Sequence, residues 1–211
     1  LSGDALFTAA YQAIELASSQ AMPQLLKFIN KTSMEVCEGQ QQDLDFECLE
    51  QVSEEMYLEM IRLKTSVLLA ASCARGAISA GATDDRVELW YEFGEKLGLA
   101  FQIQDDYLDT FGDENATGKK VGGDILADKK TFLFIHALSA GELTSTDGSS
   151  DQEKIEVIKS AMKSIGSDIA AKNLMTRYSD AAAKALESLN LELSTKTWFE
   201  ELIFSVTERV S

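Results

Sequence analysis

The sequence has few of the residues that interrupt helices. Its 211 residues include one proline, Pro23, and 13 glycines. Both residue types destabilise helix interiors, so their scarcity favours a mostly helical chain. Hydrophobic residues make up 45% of the sequence, which is too apolar for a disordered chain and enough for a sizeable core.

Cysteine and histidine are also scarce. The three cysteines, Cys37, Cys48 and Cys73, are too few and too irregularly spaced for a disulfide framework. The chain has a single histidine, His136, so the cysteines also make a poor set of zinc ligands. Reduced thiols and the lack of a signal-peptide pattern predict a cytoplasmic protein.

Positive charge and long apolar runs are limited as well. The chain has 19 Lys and Arg against 35 Asp and Glu, a formal net charge of −16. Nucleic acids and anionic membranes require a basic face, so neither is an expected partner. The longest uncharged stretches, such as residues 65–74 and 131–141, are far shorter than the roughly 20 residues of a transmembrane helix. No stable membrane insertion is expected.

Apolar residues recur with helical periodicity along most of the chain, and no segment shows the alternation typical of a strand. Ser53 is a predicted N-cap, and Pro23 suits a first helical turn. Loops are predicted at residues 112–124 and 139–152. The predicted helices cover residues 5–17, 23–42, 54–77, 84–111, 127–138, 152–165, 167–189 and 195–209. These features predict a single all-α domain over residues 1–211.

One predicted helix carries a stripe of polar side chains. Residues 101–109 read F-Q-I-Q-D-D-Y-L-D, and on a helix Gln102, Asp105, Asp106 and Asp109 share one face. Three carboxylates this close repel one another unless a cation lies among them. Carboxylates without histidine or cysteine suit Mg²⁺, which also binds substrate phosphates. A solvated face is the alternative, but the flanking apolar residues favour a Mg²⁺ site.

A basic, glycine-rich segment follows the stripe. Lys119, Lys120, Lys129 and Lys130 fall within twelve positions of an otherwise acidic chain. Glycines let backbone amides approach an anion, and lysines supply positive charge for phosphate. A solvated basic loop is the alternative. The position directly after the carboxylates favours phosphate binding.

Other polar residues interrupt apolar surroundings. On a helix, Lys64 has only apolar neighbours three and four residues away, so its ammonium group either reaches the surface or binds an anion in a cavity. Thr65 adds a hydroxyl group beside it. Gln40 and Asp43, three residues apart, by themselves indicate only a helix end. His136 is interpreted as a packed core residue.

Taken in order, these motifs resemble the C-terminal part of a trans-isoprenyl diphosphate synthase of the polyprenyl synthetase family, which includes farnesyl and geranylgeranyl diphosphate synthases. The second aspartate-rich motif, with its Phe-Gln lead-in, is the most specific. The last third of the chain matches only in being helical. The motifs are S-G-D-A-L at 2–6, G-Q-x-x-D at 39–43, K-T at 64–65, G-x-x-F-Q-x-x-D-D-x-x-D at 98–109, G-K at 118–119, G-D at 123–124 and K-x-T at 129–131.

The resemblance implies an antiparallel helix bundle of the isoprenoid synthase type around a central apolar cavity. It also implies a homodimeric prenyltransferase that condenses isopentenyl diphosphate with an allylic prenyl diphosphate, head to tail and trans. Mg²⁺ assists ionisation of the allylic diphosphate, isopentenyl diphosphate attacks the carbocation, and a proton is lost. Fixed cations stabilise the leaving pyrophosphate, and apolar walls exclude water.

The resemblance further implies roles for the motif residues. Asp105 and Asp109 would bind Mg²⁺, with Asp106 in support and Asp124 acting through water. The side-chain oxygens of two residues would face the carbocation: Thr65 of the K-T motif and Gln102 of the F-Q motif. The allylic diphosphate would be held by Lys64, Lys119 and Lys129. The cavity would be lined by the residues of the G-Q-x-x-D motif, Gln40 and Asp43.

The family also has a first aspartate-rich motif and a pair of arginines upstream of the segment that matches residues 2–6. This sequence opens at Leu1 in a helix-like pattern without them, which predicts a partial synthase that lacks the N-terminal helices and most of the isopentenyl diphosphate site. One alternative is a non-catalytic regulatory subunit, which the intact carboxylates and lysines disfavour. The other is a terpene cyclase, which would ionise the same substrate without isopentenyl diphosphate.

Overall fold

The computed structural model describes residues 1–113, 121–141 and 150–207. Within these ranges the chain forms helices and no strand, which confirms the predicted all-α class, and no helix is long and apolar enough to cross a membrane. A π-helical turn, Arg62–Ser66, joins α3 to α4. The α-helices are α1 (Ser2–Glu15), α2 (Met22–Cys48), α3 (Glu54–Ile61), α4 (Val67–Ser79), α5 (Asp84–Phe111), α6 (Gly123–Leu126), α7 (Phe132–Ser139), α8 (Asp151–Ile165), α9 (Ser167–Ser188) and α10 (Leu193–Thr207).

Helix α5 lies at the centre of the bundle. It packs against α4, α9, α10 and the π-helical turn. Its N-terminal half contributes Phe93 and Leu97 to an apolar cluster with α9 and α10. Its C-terminal half contributes Ile103 to a larger cluster, which also contains buried residues of α3, α7, α8 and α9. Since α5 is buried on both sides, it fixes the position of the polar stripe at its C-terminal end.

Two glycines bring the neighbouring helices against the π-helical turn. A Cβ atom on Gly98 of α5 would lie 2.6 Å from the Cα atom of Ser66. A Cβ atom on Gly39 of α2 would lie 2.8 Å from the Cβ atom of Leu63. Both distances are shorter than any normal contact, so only glycine fits at either position. The turn is therefore held between α2 and α5.

Several predicted helix boundaries are wrong. Helix α2 continues to Cys48, six residues past its predicted end at residue 42. The helix predicted over residues 54–77 is interrupted by the π-helical turn. The helix predicted over residues 127–138 is instead α7 with a preceding bend, because Asp128 has a φ of 50°, in the left-handed region. Most of the predicted loop at 139–152 lies outside the described residues.

Other local predictions are confirmed. The hydroxyl group of Ser53 accepts a hydrogen bond from the backbone amide of Met56 over 3.2 Å, as expected of an N-cap. Pro23 lies in the first turn of α2. Helices α8 and α9 begin and end within one residue of their predicted bounds, and α10 begins two residues before its predicted start. The predicted end of α10 at residue 209 lies outside the described residues. Capping chemistry and periodicity therefore located the helices better than they located the interruptions.

Candidate active site

The polar stripe of α5 has a buried part and an accessible part. Asp105 and Asp109 are partly exposed, whereas Asp106 is only 3% exposed. The hydroxyl group of Tyr57, on α3, donates to Oδ2 of Asp106 over 2.7 Å. Nε2 of Gln102 donates to Oδ1 of the same carboxylate over 2.9 Å. Protein donors therefore occupy both oxygens of Asp106.

Burial dominates the ionisation of this buried pair. It raises the pKa of Asp106 to about 6, although the charge of Lys129 and the hydrogen bonds from Tyr57 and Gln102 act in the opposite direction. Burial, together with the neighbouring Asp106 carboxylate, also raises the pKa of Tyr57 well above its ordinary value. The phenol therefore stays protonated at neutral pH and acts as the donor.

Asp109 holds the segment that follows α5. Its Oδ2 accepts a hydrogen bond from the backbone amide of Asp124 over 2.8 Å, and its backbone carbonyl accepts one from the amide of Gly122 over 2.6 Å. Gly122 has a φ of 94°, which favours glycine. A Cβ atom on Gly123 would lie 3.3 Å from Oδ1 of Asp109. The two glycines therefore let the chain return closely to α5 and place Asp124 beside Asp109.

Lys129 faces this group of carboxylates. Its Nζ lies 3.2 Å from Oδ1 of Asp124. Burial lowers the pKa of Lys129, but the charges of Asp106 and Asp124 outweigh it, so the pKa is raised. Burial and repulsion from Asp109 and Asp105 raise the pKa of Asp124 against the attraction of Lys129. The single positive charge of Lys129 thus lies among several carboxylates and does not balance all of their negative charge.

The π-helical turn brings Lys64 and Thr65 to the same region from the other side. Nζ of Lys64 lies 2.6 Å from Oδ2 of Asp43 on α2. The hydroxyl group of Thr65 donates to Oε1 of Gln102 on α5 over 2.9 Å. The two side chains are successive in sequence yet bond to opposite neighbouring helices. Lys64 is therefore a half-buried, paired lysine at this site.

Two predicted residues are not brought into these contacts. Gln40 is exposed on α2, one turn before Asp43. Lys119 lies outside the described residues. His136, interpreted as a packed residue, is half-buried, with Nδ1 3.0 Å from Oγ of Ser167.

The sequence reasoning did not identify Tyr57 as a member of the site. Its partner Asp106 is 49 residues away in sequence, and helical periodicity detects only neighbours within a few residues. The available signal was a tyrosine seven residues before Lys64, and therefore two turns earlier along the same helical segment. That spacing alone is equally typical of an ordinary core position.

The residues at this end of α5 suit Mg²⁺. Within the described ranges, no group of three or more His, Cys, Asp or Glu side chains is arranged to hold a metal ion by itself. Asp105 and Asp109 nevertheless lie close enough to Asp124 for their charges to add to the effect of burial and raise its pKa. Three carboxylates therefore lie near one another. Mg²⁺ keeps several waters and binds through one or two carboxylates plus substrate phosphates, so an open carboxylate set fits it.

Two cavities flank these residues. A cavity of about 130 Å³ lies between α2 and the segment after α6, and its lining includes Asp43 and Lys129. A larger cavity of about 580 Å³ lies between α5, α9 and α10 and is lined by residues that include Gln104 and Lys172. Only the smaller one contains side chains of the carboxylate and lysine group.

Known proteins resemble this chain in sequence and in fold. The chain is 44% identical over 139 residues to a short chain isoprenyl diphosphate synthase from Methanocaldococcus jannaschii, an overlap of 65% of this chain and 42% of that protein. It is 34% identical over 193 residues to a geranylgeranyl diphosphate synthase from Methanosarcina mazei, an overlap of 90% of this chain and 60% of that protein. The chain thus spans only part of the length of these relatives.

A crystal structure of geranylgeranyl pyrophosphate synthase matches the fold with a TM-score of 0.92 at 37% identity, over 100% of this chain and 68% of that one. The family described as Polyprenyl synthetase matches residues 1–165, a range that contains every motif residue discussed above. This match covers well over half of the chain, and its limits enclose the carboxylates, the lysines and the π-helical turn. The chain therefore belongs to the polyprenyl synthetase family.

Proposed function

We propose that this chain forms the catalytic part of a trans-isoprenyl diphosphate synthase. The C–O bond of an allylic diphosphate breaks and pyrophosphate leaves with the bonding electrons. The alkene of isopentenyl diphosphate forms a new C–C bond to the carbocation, and loss of a proton completes the longer prenyl diphosphate. The observation that carries this proposal is the placement of accessible carboxylates, a half-buried lysine and the Thr65–Gln102 pair at one end of α5.

The charges of the site suit a diphosphate bound with Mg²⁺. Asp105 and Asp109 would hold the metal, and Asp124 would reach it through water. Bound Mg²⁺ neutralises the negative charge that develops on the leaving pyrophosphate. Lys129, charged and half-buried beside Asp124, would bind the diphosphate from the protein side. Lys64 would contribute a second cation by exchanging Asp43 for phosphate oxygens.

The remaining polar residues suit stabilisation of the carbocation. The hydrogen bond from Thr65 to Gln102 links the lysine-bearing turn to the helix that carries the carboxylates, and each side chain has an oxygen available to face positive charge. Asp106 serves as a support, because both its oxygens already accept hydrogen bonds. Gln40 and Lys119 would extend the substrate site, the first from α2 and the second from outside the described residues.

We also infer that the complete protein is a cytoplasmic homodimer. Helix α1 packs against α2 through residues that include Tyr11 and Ile14. It leaves Leu6 and Phe7 73% and 51% exposed, respectively. Apolar side chains exposed together on one helix are typical of an interface between subunits.

The function is tested by Mg²⁺-dependent incorporation of labelled isopentenyl diphosphate into farnesyl diphosphate, with the extracted products sized. We expect the product to form in Mg²⁺ and not in EDTA. The variants D105N and D109N should each lower kcat/KM by about a hundredfold or more, since each removes charge at the metal. Asp85 lies at the exposed start of α5, and D85N should leave the rate unchanged.

The assay is run on this chain and on the complete protein. Formation of a cyclic hydrocarbon without isopentenyl diphosphate would establish a terpene cyclase instead. If both proteins bind the diphosphate but form no product, the regulatory subunit becomes the better explanation. Equal activity of D105N and the wild type would overturn the proposed metal site.

A further inference from the structure

Three consecutive hydrogen bonds link four side chains from three elements. The hydroxyl group of Tyr57 lies 2.7 Å from Oδ2 of Asp106, and Oδ1 of Asp106 lies 2.9 Å from Nε2 of Gln102. Oε1 of Gln102 lies 2.9 Å from the hydroxyl group of Thr65. Tyr57 and Asp106 are 1% and 3% exposed, so the hydrogen bond between them is shielded from water.

The hydrogen-bonding capacities of the four groups fix the direction of each bond. An ionised carboxylate accepts only, so it requires a donor from the phenol and a donor from the amide. The amide nitrogen of Gln102 therefore faces Asp106, and its oxygen faces Thr65. The Thr65 hydroxyl must then donate its hydrogen to Gln102. The lone pairs of the Thr65 hydroxyl oxygen then point away from Gln102.

We propose that Tyr57 is a positioning residue that sets the polarity of Thr65 through Asp106 and Gln102. This inference rests on the proposed function, because an oxygen that presents lone pairs stabilises a nearby carbocation, whereas a hydroxyl hydrogen opposes it. With the amide reversed, Thr65 would accept from the amide nitrogen and turn its hydrogen toward the substrate. The phenol thus acts on Thr65 through two intervening side chains.

The burial of Tyr57 explains why water cannot replace it. Removal of the phenol oxygen leaves Oδ2 of Asp106 without its donor in a shielded place, which is costly for a carboxylate. The carboxylate can then rotate toward another donor, and this movement allows the amide of Gln102 to reverse.

The test compares Y57F with Y107F. Tyr107 is also a buried tyrosine, and it follows Asp106 directly on α5, but its ring lies below Nζ of Lys172 on α9. We expect Y57F to lower kcat about tenfold with little change in KM for the allylic diphosphate, since the lysines are untouched. Y107F should leave both constants unchanged. Equal behaviour of the two variants would overturn the proposal.

A double-variant comparison separates positioning from general loss of packing. In a Q102A background the amide is absent, so Y57F should have no further effect on kcat. A further tenfold loss in that background would show that Tyr57 acts independently of Gln102 and would contradict the proposal.

A second readout requires no catalysis. In the NMR spectrum of the ligand-free protein, the side-chain amide protons of Gln102 should shift in Y57F and stay in place in Y107F. Unchanged amide signals in Y57F would contradict the positioning role. If the wild type proves inactive, the proposed function fails, while this spectrum still tests the hydrogen-bond chain.

Discussion

A carboxyl group as deeply buried as that of Asp106 makes the stability of the fold depend on pH. Its pKa is raised from about 3.9 in the unfolded chain to about 6 in the folded one, chiefly by burial. The folded protein therefore binds this proton more tightly than the unfolded chain. The stabilisation is complete below about pH 4 and is lost as the pH rises through 6, by about 3 kcal/mol in total.

We expect the difference in unfolding free energy between the wild type and D106N to change accordingly. Urea unfolding in EDTA from pH 4 to pH 7 should show the wild type losing about 2 kcal/mol relative to D106N, because the amide does not titrate. The variant D85N, at an exposed position of the same helix, should follow the wild type. A constant difference between wild type and D106N would contradict the raised pKa of Asp106.

At the residue scale, local spacing predicted which side chains would lie together on one helix. Gln102 and Asp106 were expected on one face, and they are joined by a hydrogen bond. The partners Tyr57 for Asp106 and Asp43 for Lys64 were not predicted, because they are 49 and 21 residues away in sequence. Their pairing depends on how helices pack, which periodicity does not encode. The roles of the site residues remain predictions.

At the scale of elements, the close approach of α2 to the π-helical turn should make Gly39 intolerant of any side chain. The Cβ atom of G39A would overlap the backbone of Lys64 and Leu63, which flexible side-chain movement cannot relieve. We expect a loss of about 2 kcal/mol or more in unfolding free energy. Urea unfolding monitored by circular dichroism measures it.

Gly76 provides the matched control. It lies in α4, and a Cβ atom there would meet nothing within 4 Å. G76A should therefore be neutral or stabilise the protein by up to about 1 kcal/mol, since alanine is the better helix former. If both alanine variants behave alike, the tight packing around the turn is not a source of stability.

Helices could be predicted from periodicity and caps, whereas their interruptions could not. The π-helical turn has no marker in its own residues, since Arg62–Ser66 continues an apolar helical pattern. The close contacts that surround it come from other elements, at Gly39 and Gly98. The bend at Asp128 was missed for a similar reason. Its carboxylate is 2.8 Å from Nζ of Lys154 on α8, a contact that only the fold creates.

At the scale of the whole molecule, the exposed side of α1 should mediate dimer formation. The double variant L6E/F7E places two charges where an apolar contact is expected, so light scattering should show a monomer with unchanged helicity. Ile169, on α9, is also apolar and 60% exposed, and I169E should leave the dimer intact. A monomeric wild type, or a dimeric L6E/F7E, would exclude α1 as the interface.

The π-helical turn also limits the changes in length that the chain tolerates. A π turn contains one more residue than an α-helical turn, so it sets the register of all of α4. Loss of one codon between positions 62 and 66 would rotate α4 by about 100° about its axis. Ala70 and Ala74, now fully buried, would turn away from the core. The number of residues in this turn therefore determines which face of α4 reaches the core.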